Sequence, residues 1–189
     1  MNFYGSDKGG KNNHHNYTNY YSELFSHKKN EIRNFLEIGL GTNNQKFSSN
    51  MGSEGIPLAS LRAWRDYFIN ANIYGADIDK SILDNENRIK TFYVDQTNPQ
   101  SINKLFLNIG DVKFDIILDD GLHHHDANIC FFENSIRYLN KNGFYIIEDV
   151  HYKYKHRFFD YFKKKNYNFS YVNIYHKKNI KDNSLIIIR

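Results

Sequence analysis

Asn34-Phe-Leu-Glu-Ile-Gly-Leu-Gly-Thr-Asn43 decides how the rest of this 189-residue chain is read. Phe35, Leu36 and Ile38 form a short apolar run, the pattern of a buried strand. The run carries a carboxylate, Glu37, at its end and then breaks at Gly39 and Gly41. A glycine has no Cβ, so the backbone bends tightly there and approaches a ligand closely. Open parallel sheets bind nucleotide-like ligands at such a turn, beyond the C-terminal end of the first strand.

Downstream, residues 42–56 are a polar loop rich in Asn, Ser and Gly, long enough to be functional or mobile. Pro57 suits a first helical turn, and a helix to about residue 70 turns Leu58, Leu61, Trp64, Tyr67 and Phe68 inward. Further strands are expected at 72–77, 90–95, 113–119 and 143–149, each ending in a carboxylate. Helices are expected at 99–109, at 124–140 with Ile129, Phe132, Ile136 and Leu139 inside, and at 152–165 with Phe158, Phe159 and Phe162. Two β-rich runs, 170–175 and 184–188, are joined by a short polar link and make an antiparallel hairpin. Upstream, residues 1–16 read as polar loop with Gly5, Gly9 and Gly10. Residues 17–29 carry Tyr17, Tyr20, Tyr21, Leu24 and Phe25 at helical spacing. The chain thus reads as five β-α units and a closing hairpin. It forms a single domain over 1–189, with residues 1–32 as an N-terminal lid loop and helix.

Composition narrows the function classes. Hydrophobic residues are 40% and aromatics 16%, as in a globular chain. The net charge of +4 is spread along the sequence, which argues against nucleic acid as a partner. Lys163 to Lys165 read as a solvated helix end at the negative pole of the dipole. Cys130 is the one cysteine, so no intrachain disulfide forms. No run reaches the length of a membrane span and no signal core is visible, so a cytoplasmic location is expected.

The strand-end acids are Glu37, Asp77, Asp95, Asp119 with Asp120, and Glu148 with Asp149. In a parallel sheet these ends share one rim, and carboxylates crowded there repel unless they hold donors or positive charge. One such Asp would be an ordinary helix cap; five strand ends point to a ligand site. A dinucleotide fits poorly. The third glycine of G-x-G-x-x-G is replaced by Asn44, and the next strand-end acid, Asp77, lies 38 residues beyond Gly39. No phosphate-loop motif is present. S-adenosylmethionine fits better, with its amino acid over Gly39 and Gly41, its ribose diol on Asp77, and its adenine amine near Asp95 or Gln96.

The ordered set E-x-G-x-G-T, Y-G-A-D-I-D, V-D-Q, D-D-G-x-H and I-E-D resembles the class I S-adenosylmethionine-dependent methyltransferases from Phe35 onward. That resemblance implies a Rossmann-like α/β fold: a seven-stranded, mostly parallel sheet of order 3-2-1-4-5-7-6, strand 7 antiparallel, helices on both faces. Asp119-Asp120-Gly121-Leu122-His123 and Ile147-Glu148-Asp149 are most similar to the metal-dependent macrocin- and mycinamicin-type sugar O-methyltransferases. The resemblance implies Asp120, Glu148 and Asp149 as ligands of magnesium or a similar divalent cation, and His123 as the general base. It sets Glu37, Gly39, Gly41, Asp77, Asp95, Gln96, Asp119, Tyr17 and Arg62 on the cofactor side. Ser6-Asp-Lys-Gly9 with His15-x-Tyr17-Thr18, and Ala59 to Trp64, resemble segments of bacterial polysaccharide-modifying methyltransferases; the first of these helps cover the cofactor. Leu122 stands where Ser is common, and the family's large extra N-terminal region has no counterpart in the short lead-in.

The residue types suit the chemistry independently. Magnesium prefers hard oxygen ligands and keeps positions open; paired acceptor oxygens on it become more acidic; a histidine takes the proton. The expected activity is O-methylation of a sugar or sugar-linked group in a surface polysaccharide or glycoside, by a homo-oligomer taking a small-molecule or glycan acceptor. Alternatives are a methyltransferase on RNA or protein, a non-catalytic cofactor-binding protein, and a nicotinamide oxidoreductase. Consecutive helical side chains diverge by about 100°, so His123, His124 and His125 do not converge on one ion; two of them are expected to cap the helix or face solvent. Trp64 is expected in the core.

Overall fold

The computed structural model describes residues 1–9 and 15–189. Gly10, the last glycine of the N-terminal segment named above, lies outside the described residues. The strands are β1 Asn34–Ile38, β2 Asn72–Asp77, β3 Ile89–Tyr93, β4 Phe114–Asp119, β5 Leu139–Ile147, β6 Phe169–Asn173 and β7 Ser184–Ile188. They hydrogen-bond in the order β3-β2-β1-β4-β5-β7-β6. Neighbours are parallel except β7, which is antiparallel to both β5 and β6. This is the expected sheet.

The helices are α1 Thr18–Phe25, α2 Ala59–Tyr67, α3 Pro99–Ile109, α4 His125–Ser135 and α5 Lys155–Lys164. Strand residues alternate between two cores. Phe35, Ile73, Ile116, Leu118, Phe144 and Ile146 pack with α1 and α2, on Tyr21, Phe25, Leu61, Trp64 and Phe68. Leu36, Ile38, Ile117, Tyr145 and Ile147 pack with α3, α4 and α5, on Ile102, Phe106, Phe131, Phe132, Phe158 and Phe162. Both sheet faces are therefore covered, which is why Ile116–Leu118 of β4 and Phe144–Ile147 of β5 read as continuous apolar runs rather than alternating ones. Trp64 is 2% exposed and lies in the first core.

Four expectations need correction. Helix 17–29 stops at Phe25. Helix 124–140 stops at Ser135, followed by a 3-10 turn at Ile136–Tyr138, and residues from Leu139 join β5. Leu139 pairs with Phe114 of β4, and the ladder is irregular over Asn140-Lys-Asn-Gly143 until Phe144 pairs with Ile116. The buried face of α4 is accordingly His125, Ala127, Asn128, Phe131, Phe132 and Ser135, with Ile129 only partly covered. β2 and β3 are joined by a 3-10 turn, Lys80–Ile82, rather than an α-helix; Asp79 caps it through Ser81. The N-terminal loop contains two 3-10 turns, Asn2–Tyr4 and Asp7–Gly9.

The glycine turn after β1 is a packing device as well. Gly39 sits at φ +86° with its Cα against the Asp120 carbonyl, where a Cβ would overlap backbone of the turn after β4. Gly41, at φ +79°, would collide with the Met51 side chain. Gly39→Ala is therefore expected to lower unfolding free energy by at least about 2 kcal/mol, from left-handed strain and overlap combined. Urea denaturation checks this; a loss under about 0.5 kcal/mol would contradict the account.

Candidate active site

The alternation of the strands sorts the acids before any ligand is considered. Glu37 continues the Phe35 face of β1, Asp120 the Leu118 face beyond β4, and Glu148 the Ile146 face beyond β5. All three therefore turn toward α1 and α2. Asp119 has the opposite phase and turns toward α3 and α4. β1, β4 and β5 are adjacent, so the first three carboxylates meet.

Lys8 fills the space between them. Its ammonium is 3.4 Å from Glu37 Oε1 and donates to Asp120 Oδ2 and to Glu148 Oε2. The side chain is 2% exposed. The Lys8 carbonyl accepts from Thr18 Oγ1 at 2.9 Å, tying it to α1. Tyr21, also on α1, donates its hydroxyl to the other Glu148 oxygen. Burial works against the Lys8 charge, but Asp120, Glu148 and Glu37 outweigh it and push its pKa well above the usual lysine range. One ammonium does not neutralise three carboxylates. Burial raises Glu148 well above its ordinary value and Glu37 to about 7, with Lys8 opposing both. Asp120 goes the other way: burial is outweighed by Lys8 and His123, and it is held below the usual carboxylate range. Both Glu37 oxygens are buried without a hydrogen-bond partner among the described residues.

On the cavity side of this cage, Asp120 and Asp149 meet His123. His123 Nε2 lies 3.2 Å from Asp120 Oδ1 and 3.6 Å from Asp149 Oδ2. Both Asp149, at φ 52°, and His123, at φ 57°, have left-handed backbones, a conformation uncommon for non-glycine residues and frequent where side chains are re-aimed at a site. Tyr17 donates to Asp149 Oδ1 at 2.7 Å, and His15 Nδ1 lies 3.0 Å from the same oxygen. Burial opposes a charge on His123, yet Asp149 and Asp120 outweigh it and raise its pKa to about 10. Asp120, His123 and Asp149 each offer a ligand atom within 4.8 Å of the others. Two hard oxygens and an imidazole, open to a cavity, are a donor set that accepts a divalent cation.

The cavity, about 700 Å³, is bordered by Gly39, Gly41, Asp77, Asp95 and Gln96 at one end and by Asp120, His123 and Asp149 at the other. That is the size of an ordinary small-molecule site. Asp77 accepts from Leu40 N at 2.6 Å and Asp79 N at 2.8 Å, so it locks the glycine turn to β2. Asp95 accepts from Thr97 N and Oγ1 at 2.9 and 2.7 Å, closing the turn before α3. Gln96 Nε2 donates to both Asp119 oxygens at 2.7 and 2.8 Å, while its Oε1 accepts from Leu122 N at 2.8 Å. Burial pushes Asp119 up to about 6. The loop from Lys46 to Met51 and the N-terminal residues Ser6, Asp7 and His15 wall the remaining side.

Several residues land away from where the sequence set them. Arg62 is engaged by Glu86 at 2.7 Å and by the Pro57 carbonyl at 3.1 Å, and it does not border the cavity. Tyr17 is fully buried behind Asp149. Glu148 is turned toward Lys8 and Tyr21. α4 begins at His125, so His123 and His124 precede the helix. His124 is at the N-cap position without a capping bond, and His125, expected at a cap or in solvent, is instead buried with its ring 4.6 Å from that of Phe158. Sequence reasoning missed Tyr21 and the central place of Lys8. The signal lay in the phase of the strands, since a face bearing Glu37, Asp120 and Glu148 requires a buried cation.

No family model matches the chain. It is 32% identical over 151 residues to the 8-demethyl-8-alpha-L-rhamnosyl tetracenomycin-C 2'-O-methyltransferase of Streptomyces olivaceus, covering 80% of this chain and 36% of that protein. It is 34% identical over 137 residues to the mycinamicin VI 2''-O-methyltransferase of Micromonospora griseorubida, covering 72% and 32%. Among solved structures, the MycE methyltransferase of the mycinamycin pathway, in complex with Mg and SAH, is 32% identical with a TM-score of 0.64, covering 78% of this chain and 35% of that one. The chain thus spans about a third of the length of these relatives.

The buried Glu37 carboxyl has a measurable signature. Its folded pKa of about 7 lies above the ordinary 4.5. Between those values the unfolded chain has lost this proton and the folded chain keeps it, so the Glu37 contribution to stability falls as pH rises from about 4.5 to 7. Comparison of the parent with Glu37→Gln by urea unfolding at pH 5 and pH 8 should show the parent losing roughly 1–3 kcal/mol relative to the variant. A difference independent of pH would contradict the assignment.

Proposed function

We propose that this chain, which has the class I methyltransferase fold and is homologous to the macrocin-, mycinamicin- and tetracenomycin-type sugar O-methyltransferases, transfers a methyl group from S-adenosylmethionine to a sugar hydroxyl with the help of magnesium. The observation that carries the reading is the continuity of one cavity from the glycine turn to the Asp120–His123–Asp149 cluster. A donor seated over Gly39 and Gly41 then has its transferable methyl facing the acids and the histidine. Asp77 and the Gln96–Asp119 pair hold the walls against which ribose and adenine would rest.

The step balances simply. The acceptor O–H gives its proton to the His123 imidazole in its neutral form, the oxygen forms a bond to the methyl carbon, and the carbon–sulfur bond breaks. The sulfonium leaves as a neutral thioether. The methyl is already activated, so positioning and proton removal are what the protein supplies. A magnesium ion held by Asp120 and Asp149, with Glu148 behind them, would act as a Lewis acid on acceptor oxygens and take up the carboxylate charge that otherwise keeps His123 protonated. Asp120 and Asp149 also fix the orientation of the imidazole.

For the acceptor we favour a sugar of a surface glycan or other glycoside. For a glycoside the support is that the curated relatives act on antibiotic glycosides by their names; for a surface glycan it is only the resemblance of Ser6-Asp-Lys-Gly9 with His15-x-Tyr17-Thr18, and of Ala59 to Trp64, to segments of bacterial polysaccharide-modifying methyltransferases.

Three measurements test the reading. Isothermal calorimetry should detect S-adenosylmethionine binding, weakened at least tenfold in Asp77→Ala; an unchanged affinity would remove the donor assignment. Transfer of labelled methyl to a panel of glycosides and glycan fragments should stop in chelator and return with magnesium; full activity in chelator would remove the metal. His123→Ala should lower kcat by about 10²- to 10⁴-fold with donor affinity held within about threefold; a kcat within about threefold of the parent would remove the base.

A further inference from the structure

The positive charge, dispersed along the sequence, is gathered by the fold. Residues 150–157, which leave the rim after Asp149, and residues 174–181, which link β6 to β7, carry Lys153, Lys155, Arg157, Lys177, Lys178 and Lys181 and no carboxylate. The whole chain is only +4, so everything outside these two stretches is slightly acidic. They are joined where Tyr152 N donates to the Lys181 carbonyl at 2.9 Å. Both are built turns: His151 Nδ1 accepts from Lys153 N at 3.2 Å, and His176 Nδ1 accepts from Lys178 N at 3.2 Å and from Asn179 N at 2.9 Å. The link is fastened to the Asp149 end of the cavity. Asn16 Nδ2 donates to the Tyr175 carbonyl at 3.1 Å, Asn179 Nδ2 lies 3.4 Å from His15 Nδ1, and that nitrogen also faces Asp149. Asp182, next in the chain, borders the cavity.

Arg157 is spoken for by Asp126 at 2.6 Å, and Lys155 lies over the Tyr171 ring at 4.6 Å. Lys153, Lys177, Lys178 and Lys181 are exposed and make no ion pair among the described residues. The cavity end beside them is opposite in sign, with Asp120, Asp149 and Asp182 along it. A neutral glycoside needs no cations to reach that end. An anionic acceptor is repelled by it, and a basic margin restores the approach. Two short turns suit one or two phosphates rather than a nucleic-acid backbone, which needs a longer track. We propose that Lys153 and Lys181, backed by Lys177 and Lys178, hold the phosphate or diphosphate of the acceptor, so that the substrate is a sugar still linked to its phosphate carrier; this narrows the methyl transfer proposed above and rests on it. Lysines hold phosphate oxygens as point charges. The phosphate takes no part in bond making and leaves with the methylated product.

Binding is measured first, by calorimetry at low salt in chelator. Inorganic pyrophosphate should bind the parent, and about tenfold more weakly bind Lys153→Gln/Lys181→Gln. Lys163→Gln/Lys164→Gln, which removes the same charge from the far end of α5, should match the parent within about twofold. Equal weakening in the two pairs, or no binding to the parent, would overturn the proposal. Transfer of labelled methyl is then compared, with magnesium, between a methyl glycoside, the same sugar on uridine diphosphate and the same sugar on a short prenyl diphosphate. One of the diphosphates should exceed the glycoside in kcat/KM by about tenfold, and that ratio should fall at least about fivefold in Lys153→Gln/Lys181→Gln. Whichever leads identifies a nucleotide or a lipid as the carrier. A glycoside used as well as both diphosphates would overturn the proposal, as would a short RNA that binds the lysines more tightly than either. Methyl transfer to none of the three, with pyrophosphate binding still dependent on Lys153 and Lys181, would support the anion site and count against the enzymatic reading alone.

Discussion

The structure depends on reconciling buried carboxylates with the ends of adjacent parallel strands. Glu37, Asp119 and Glu148 are each 1% exposed or less, and an isolated ionised carboxylate in such surroundings is far too costly to keep. Each is reconciled differently. Asp119 takes two hydrogen bonds from Gln96. Glu148 takes Lys8 and Tyr21. Glu37 has Lys8 alone and leans toward its protonated form. The sheet supplies the strand ends but none of these partners. They come from the N-terminal segment, α1 and the turn after β3.

That dependence changes the meaning of the N-terminal segment. Residues 7–25 supply Lys8, His15, Tyr17 and Tyr21, and each of them contacts an acid at the rim. Breaking such a pair leaves a buried charge behind and typically costs 3–5 kcal/mol. Tyr17, Tyr21 and Phe25 also lie in the first core, so the two tyrosine donors, Tyr17 at the N-cap of α1 and Tyr21 within it, are fixed by the core itself. Substrate-facing geometry and core packing are coupled through a single short helix.

Most of the fold was legible in the sequence because strand runs, glycine turn and closing hairpin are local patterns. Pro99 at the start of α3 and Gly110 at its end mark that helix to the residue. Where reading failed, a non-local effect won. Leu139 left the helix to pair with Phe114 of β4, and the residues after it reach Phe144 through an irregular stretch of the ladder. Arg62 met Glu86, 24 residues away, on the outer side of α2. The acids of the rim were legible as a set but not as two sets. Their division by face needs only the two-residue period of a strand, and so was present in Glu37, Asp119, Asp120 and Glu148 without any structure. The left-handed backbones of His123 and Asp149, which aim those side chains at each other, left no mark that a sequence pattern reveals.

The Lys8–Glu148 contact also bears on how the chain reaches its fold. The two residues are 140 positions apart, and Glu148 rests on β5, whose outer neighbour β7 begins only at Ser184. Contacts of such long sequence separation incur their loop-closure entropy before they return any stabilisation, and they slow folding. The sheet can order its β1–β4 centre from nearer partners, but the chemical centre waits on both distant arms. Until they meet, Glu37, Asp120 and Glu148 lack the ammonium that pairs with them, so the carboxylate cage rests on some of the longest loop closures in the chain.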